Sequence, residues 1–142
     1  MPLRVYYEDT DAAGIVYYAN YLKFAERGRT EMMRALGFEH SGILRETGIA
    51  FIVRRLSADY RAAARLDDML TVETTVQSIG AATLSLDQQI RRESETLVVL
   101  DLLVACIGPD GRPRRLPSGL RAALARHGKL PASGPAIVQK TP

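Results

Sequence analysis

The sequence predicts an α+β domain in which one long helix packs against a five-stranded antiparallel sheet. Three observations carry that expectation. Apolar residues recur at helical spacing over residues 21–36. From residue 49 the pattern changes to period two, as in half-buried strands. Four such runs follow one another with only short turn signals between them, as in an antiparallel sheet. With 142 residues, 46% of them apolar and 25% charged, the chain fits one globular domain, expected over residues 1–130, with 131–142 expected as a mobile tail.

Residues 3–7 (LRVYY) read as a short strand and 8–19 (EDTDAAGIVYYA) as a structured loop. Asn20 is expected to cap a helix over 21–36, whose inward stripe is Tyr21, Ala25, Gly28, Met32 and Leu36. Gly28 in mid-helix costs about 1 kcal/mol relative to alanine, and close approach to a sheet is the simplest reason to accept that cost. Gly37 is placed to stop the helix. His40 is expected on a loop.

Residues 49–60 read as a strand and 61–68 as a connection. Residues 70–79 and 82–92 alternate around a turn at Gly80. The run 96–107 (TLVVLDLLVACI) is nearly continuous in apolar residues, which predicts a central strand covered on both faces. Pro109-Asp110-Gly111 marks a turn, and a short helix is expected over 119–127. One helix covers only one face of such a sheet, so a homo-oligomer, most simply a two-fold dimer, is expected.

Composition narrows the function. A single cysteine, Cys106, removes an intramolecular disulfide framework, and it reads as an inert buried thiol. Two histidines, His40 and His127, do not supply a multi-histidine metal site, so no metal is expected. The net charge is +3, with 16 arginines and three lysines spread along the chain. They form no basic stripe, so nucleic acid is not an expected partner. The longest apolar stretch, Leu97 to Ile107, is interrupted by Asp101 and falls short of the roughly 20 residues that span a bilayer. No secretory signal is read at the start, and a cytoplasmic protein is expected.

The segment that bears chemistry is residues 4–21, RVYYEDTDAAGIVYYANY. Glu8, Asp9 and Asp11 lie within four residues, and Asp11 is followed by Ala12, Ala13 and Gly14, which leave room for a substrate. The helix that starts about nine residues later offers unpaired N–H groups and a positive dipole end. A carboxylate beside such donors suits acyl transfer: the N–H groups bind the developing oxyanion while the carboxylate activates water or attacks directly. The residues alone leave two readings of Asp11, this one or a turn residue.

Arg4-Val5, Thr10-Asp11, Gly14-Ile15-Val16 and Ala19-Asn20-Tyr21 together resemble the signature of the 4-hydroxybenzoyl-CoA thioesterase family. The run VYYEDTDAAGIVYYANYLKFAERGRTEMMRALG is most similar to its YbgC-like branch of Tol-Pal-associated acyl-CoA thioesterases. The resemblance extends weakly to about residue 125. It implies a hotdog fold, with the long helix wrapped by the sheet, in dimers assembled into a homotetramer. It implies hydrolysis of an acyl-CoA thioester without a metal or resident cofactor, coenzyme A being part of the substrate. It assigns Asp11 as the catalytic carboxylate and the backbone N–H of Tyr18 as the oxyanion donor. Many members of the branch carry histidine where this chain has Tyr18, whose phenol does not take over proton transfer near neutral pH.

Around that centre, Gly14, Val16, Tyr17, Asn20, Tyr21 and Glu26 are candidate substrate-binding residues, and Phe24 is a further candidate lining residue. Arg54, Arg55, Arg91 and Arg92 are candidates for the phosphates of coenzyme A, with Ser57 and Thr83 as hydrogen-bond partners. The alternatives are the same chemistry on acyl carrier protein, or a non-enzymatic acyl-CoA-binding scaffold of envelope or phospholipid metabolism. An intact Asp11 speaks against the scaffold, and the lack of a histidine in the motif speaks against a hotdog dehydratase.

Overall fold

The computed structural model describes residues 1–129, so the expected tail at 131–142 lies outside the described residues. Five strands form one antiparallel sheet: β1 (Pro2–Arg4), β2 (Ala50–Tyr60), β3 (Met69–Ile79), β4 (Thr83–Arg92) and β5 (Glu95–Ile107), in the order β1-β3-β4-β5-β2. Three helices complete the described fold: α1 (Asn20–Ala35), α2 (His40–Thr47) and α3 (Ser118–Lys129).

Helix α1 buries Tyr21, Phe24, Ala25, Gly28, Met32 and Met33. The expected stripe is there, widened by Phe24 and Met33, while Leu36 is only partly buried. A Cβ on Gly28 would stand 2.5 Å from Val72 Cγ1 and 3.3 Å from Gln88 Nε2. Glycine is therefore what lets the helix backbone rest on β3 and β4. Gln88, fully buried, fastens the contact. Its Nε2 donates to the Ala25 carbonyl and to Thr74 Oγ1, each at 2.9 Å, and its Oε1 accepts from Arg29 Nη1 at 3.0 Å. Both polar atoms of the Gln88 side chain thus have partners, as burial requires.

The helix ends as expected. Gly37 at φ +92° follows the last turn, Gly37 N–H donates to Arg34 O and Phe38 N–H to Met33 O, which is the Schellman arrangement. Its start differs. Asn20 is the first helical residue rather than the cap, because its Nδ2 is turned back to donate to the Asp9 carbonyl at 2.9 Å.

Helix α3 packs Leu120 and Leu124 into the same core as α1, and His127 Nε2 lies 3.1 Å from the Thr74 carbonyl. This matters because β1 pairs only with Met69, Leu70 and Thr71, leaving β3 further along without a strand partner on that side among the described residues. The helix shields an edge that would otherwise invite pairing. The other edge strand, β2, exposes Ile52, Val53 and Tyr60.

Two expectations need correction. His40 opens helix α2 instead of lying on a loop; with only Ile43 buried, α2 has too small an apolar face to show as a periodicity. Strand β5 is interior but not central, since β4 holds the middle place. Unbroken apolarity reports cover on both faces, as at Leu97–Leu100, not position in the sheet. The face opposite the helices carries a polar cross-strand row, Thr75, Asp87, Asp101 and Ser57, in which Thr75 and Asp87 are buried.

Candidate active site

The loop between β1 and α1 is built by local hydrogen bonds. A single 3-10 turn covers Tyr7–Asp9. Asp9 Oδ2 accepts from the Tyr6 N–H at 2.8 Å, and the Asp9 carbonyl accepts from Tyr17 N–H at 3.1 Å as well as from Asn20. Asp9 is thus the brace of the loop, with Thr10 Oγ1 donating to Tyr7 O at 2.8 Å. A narrow hairpin follows, with Thr10 bridged to Val16 and Asp11 N–H donating to Ile15 O at 2.9 Å. Gly14 sits at φ +80° with open space around it, so backbone conformation rather than crowding asks for glycine there.

Asp11 stands exposed at the tip of this hairpin. Its Oδ1 accepts the Ala13 N–H at 2.8 Å, an Asx turn that fixes the carboxylate. Seven residues on, where the chain enters α1, the N–H groups of Tyr18 and Ala19 donate no hydrogen bond to any described residue, whereas those of Tyr17 and Asn20 are both satisfied. The same stretch of chain therefore presents a held carboxylate and an unpaired donor at a helix entrance.

The loop leans on the connection 61–68. Val16 N–H donates to Ala64 O at 2.9 Å, Ile15 bridges to Arg65, and Ala64 N–H donates to the Tyr21 hydroxyl at 2.8 Å. That connection is pinned from β4: Arg92 Nη1 reaches Asp68 Oδ2 at 2.7 Å and the Ala63 carbonyl at 3.2 Å. Burial pushes the Asp68 carboxyl up, but the Arg65 N–H and the Arg92 guanidinium outweigh it and hold the group below its ordinary range.

Between loop and connection opens a cleft of about 270 Å³, walled by Val16, Tyr18, Tyr21, Tyr60 and Ala62–Ala63. The rings form a chain: Tyr17 to Tyr18 at 4.9 Å, Tyr18 to Tyr60 at 5.9 Å edge-on, Tyr60 to Tyr21 at 5.8 Å, and Tyr21 to Phe24 at 6.0 Å. Burial raises the phenol of Tyr21, and burial with Tyr18 nearby raises that of Tyr60, so both stay protonated at neutral pH.

Of the residues singled out from sequence, Val16, Tyr17, Tyr18 and Tyr21 gather here, and Gly14 and Asn20 shape the loop that leads to them. Glu26 lines a separate cavity with Arg29 and His40. Arg54 is exposed at the β2 bulge, while Arg55 and Ser57 line a groove on the polar face of the sheet, beside Ser85 and Asp101. Thr83 begins β4, and its carbonyl accepts the Gly80 N–H. Arg91 is engaged with Glu73 at 3.4 Å and with the Ser94 carbonyl. These six are not brought to the Asp11 loop. Sequence reasoning missed Tyr60 and the bracing by Asp9; Tyr60 was the last residue of an expected strand, and only the tertiary approach of 61–68 to the loop gives it a role.

Among the described residues there is no group of three or more His, Cys, Asp or Glu able to hold a metal, and no helix long and apolar enough to cross a membrane. A long helix laid on a five-stranded antiparallel sheet, entered through a carboxylate-bearing loop, defines the chain as a hotdog-fold protein. Residues 13–99 match the family model described as "Thioesterase superfamily". The acyl-CoA thioesterase YbgC of Haemophilus influenzae is 45% identical over 123 residues, 86% of this chain and 90% of that protein. The acyl-CoA thioester hydrolase YbgC of Escherichia coli is 44% identical over 85% of this chain and 91% of its own length. A solved structure of a probable thioesterase from Bartonella henselae superposes with a TM-score of 0.80 at 35% identity, covering 82% of this chain and 97% of that one. The chain belongs to the thioesterase superfamily, in its YbgC-like branch.

Proposed function

We propose that this protein hydrolyses acyl-CoA thioesters, with Asp11 as the catalytic carboxylate and the Tyr18 N–H as oxyanion donor. The observation that carries the reading is the pairing of an exposed, oriented Asp11 with an N–H left unpaired at the entrance to α1. The thioester carbonyl oxygen lies against that N–H, which stabilises the charge formed as the carbonyl carbon becomes tetrahedral. Asp11 Oδ1 is held by Ala13, leaving Oδ2 to take a proton from water or to attack the carbon itself. Thiolate leaves as coenzyme A, and the acyl group leaves as a carboxylic acid. No resident cofactor takes part.

The small aromatic cleft favours a short-chain or aryl acyl group: rings at 5–6 Å spacing accept an aryl edge or a compact aliphatic body. The likeness to the YbgC proteins of two bacteria supports coenzyme A as the carrier. The exposed edge strand β2, with Ile52 and Val53 on its surface, supports a two-fold dimer formed strand to strand, which assembles further into a tetramer.

The test is release of free thiol from a panel of short aliphatic, long aliphatic, benzoyl and hydroxybenzoyl-CoA esters, with acyl carrier protein esters of the same acids alongside. Turnover of the short or aryl CoA esters is expected. A folded protein that cleaves only carrier-protein esters moves the reading to that substrate, and one that cleaves none refutes it.

A further inference from the structure

Asn20 opens helix α1, a place where asparagine ordinarily serves as a cap for its own helix. Here the helix start carries no side-chain cap. Asn20 Nδ2 instead donates to the Asp9 carbonyl at 2.9 Å, across the loop. Asparagine is also a weaker helix former than alanine or leucine. The stability of α1 by itself therefore gives no reason for this residue, and the bond to Asp9 does.

The receiving oxygen has a second donor, the Tyr17 N–H at 3.1 Å. A carbonyl oxygen offers two lone pairs. At Asp9 they are taken by the residues on either side of Tyr18 and Ala19. Asn20 N–H then closes the turn onto Tyr17 O at 2.8 Å. Residues 17–20 are thus an arch tied at both ends to one atom, with the two unpaired N–H groups between the ties. That atom belongs to the loop of the carboxylate. Asp9 is two residues from Asp11, Thr10 between them is bridged to Val16, and Asp11 N–H donates to Ile15 O at 2.9 Å. One hydrogen-bonded frame carries both the Asp11 carboxylate and the Tyr18 N–H. Of the two ties to Asp9 O, the Tyr17 bond is backbone and survives any change of side chain, whereas the Asn20 bond does not.

We propose that Asn20 is a positioning residue: through the Asp9 carbonyl it sets where the Tyr18 N–H stands relative to the Asp11 carboxylate. Asn20 touches no reacting atom in this role. The inference rests on the proposed hydrolysis at Asp11 and adds the side chain that keeps carboxylate and oxyanion donor in register. An oxyanion donor works only at hydrogen-bond distance from the charge it stabilises. A misplacement of about 1 Å can cost about 10²-fold in rate. Without the Asn20 tie, the entrance to α1 shifts independently of the loop. The loss falls on the transition state, while the rings of the cleft that hold the acyl group stay in place.

The experiment is steady-state thiol release from the best CoA ester by the full chain, comparing wild type, Asp11→Asn, Asn20→Asp and Asn20→Ala, each with its urea midpoint. Asn20→Asp keeps the shape and turns the donor into an acceptor facing a carbonyl. Its charge suits a helix N-terminus, so the fold is kept. Asn20→Ala removes the donor without adding charge. Both Asn20 variants are expected to be folded under assay conditions, with kcat lower by about 10–100-fold and KM within about threefold of wild type. Wild-type kcat in the Asn20 variants, beside a large loss in Asp11→Asn, overturns this inference and leaves the proposed reaction standing. Wild-type kcat in Asp11→Asn, or no turnover by wild type, overturns both. A loss carried by KM alone marks a substrate contact, an effect in only one Asn20 variant marks the new charge or the missing bulk, and unfolding marks a structural role; each overturns positioning.

Discussion

At the scale of residues, the loop separates carboxylates by the work each does. Asp9 is consumed in holding the backbone, whereas Asp11 has one oxygen engaged and one free. Asp11 was singled out by the resemblance of its motif to the family signature, since its small neighbours Ala12, Ala13 and Gly14 left a turn residue equally open. Asp9 was not legible, since a brace is defined by where its backbone partners stand, and those come from residues 6 and 17. Asp68 is a third case. Its carboxyl is held below the ordinary range by Arg65 N–H and Arg92 against the opposing effect of burial, so its ionised form stabilises the native state. That contribution is complete above the unfolded-state value of about 3.9 and is lost as pH falls through the lower folded value. Urea midpoints followed from about pH 6 to pH 3 are expected to fall more gently for Asp68→Asn than for wild type. Parallel curves would show that the pair contributes nothing.

At the scale of elements, α1 and its sheet contact were read from the sequence because they follow a period. Gly28 stood out as a helix-weakening residue on the apolar stripe, and the structure gives the reason in Val72 and Gln88. Propensity alone says that Gly28→Ala should stabilise the helix by about 1 kcal/mol. The close approach reverses the sign: Val72 is β-branched and stiff, so the added methyl forces the helix off the sheet, and we expect a loss of about 1–3 kcal/mol in chemical denaturation. A more stable variant would mean that the helix can ride higher at no cost. Helix α2 escaped the sequence reading because one buried side chain, Ile43, makes no pattern. The start of α1 was misjudged by one residue because Asn20 has a tertiary partner, Asp9, which outbids the capping role.

At the scale of the whole molecule, the sheet has two edges and treats them differently. Helix α3 guards the β3 side through His127 and the Thr74 carbonyl, while β2 stays open and apolar along Ile52 and Val53. Helices α1 and α3, joined by Ile43 of α2, bury their side chains in one core on one face of the sheet, so the sequence argument for oligomers keeps its physical basis. If β2 pairs with a second copy, Val53→Lys places charge on the joining edge and sedimentation equilibrium should show a shift toward monomer relative to wild type. An unchanged mass would locate the interface elsewhere. The candidate arginines show what a sequence leaves undetermined at this scale. Arg55 and Arg91 look alike in one dimension, yet one lines an open groove and the other is spent on Glu73.

The central claim is that Asp11 does the chemistry at a thioester held by the Tyr18 N–H. Steady-state thiol release by Asp11→Asn beside wild type, on the best CoA ester, tests it most directly, since asparagine keeps the shape and removes the charge. The account predicts a kcat lower by about two orders of magnitude or more with KM little changed, the signature of a group that acts on the transition state. A variant with wild-type kcat would contradict it and move the catalytic carboxylate away from the loop.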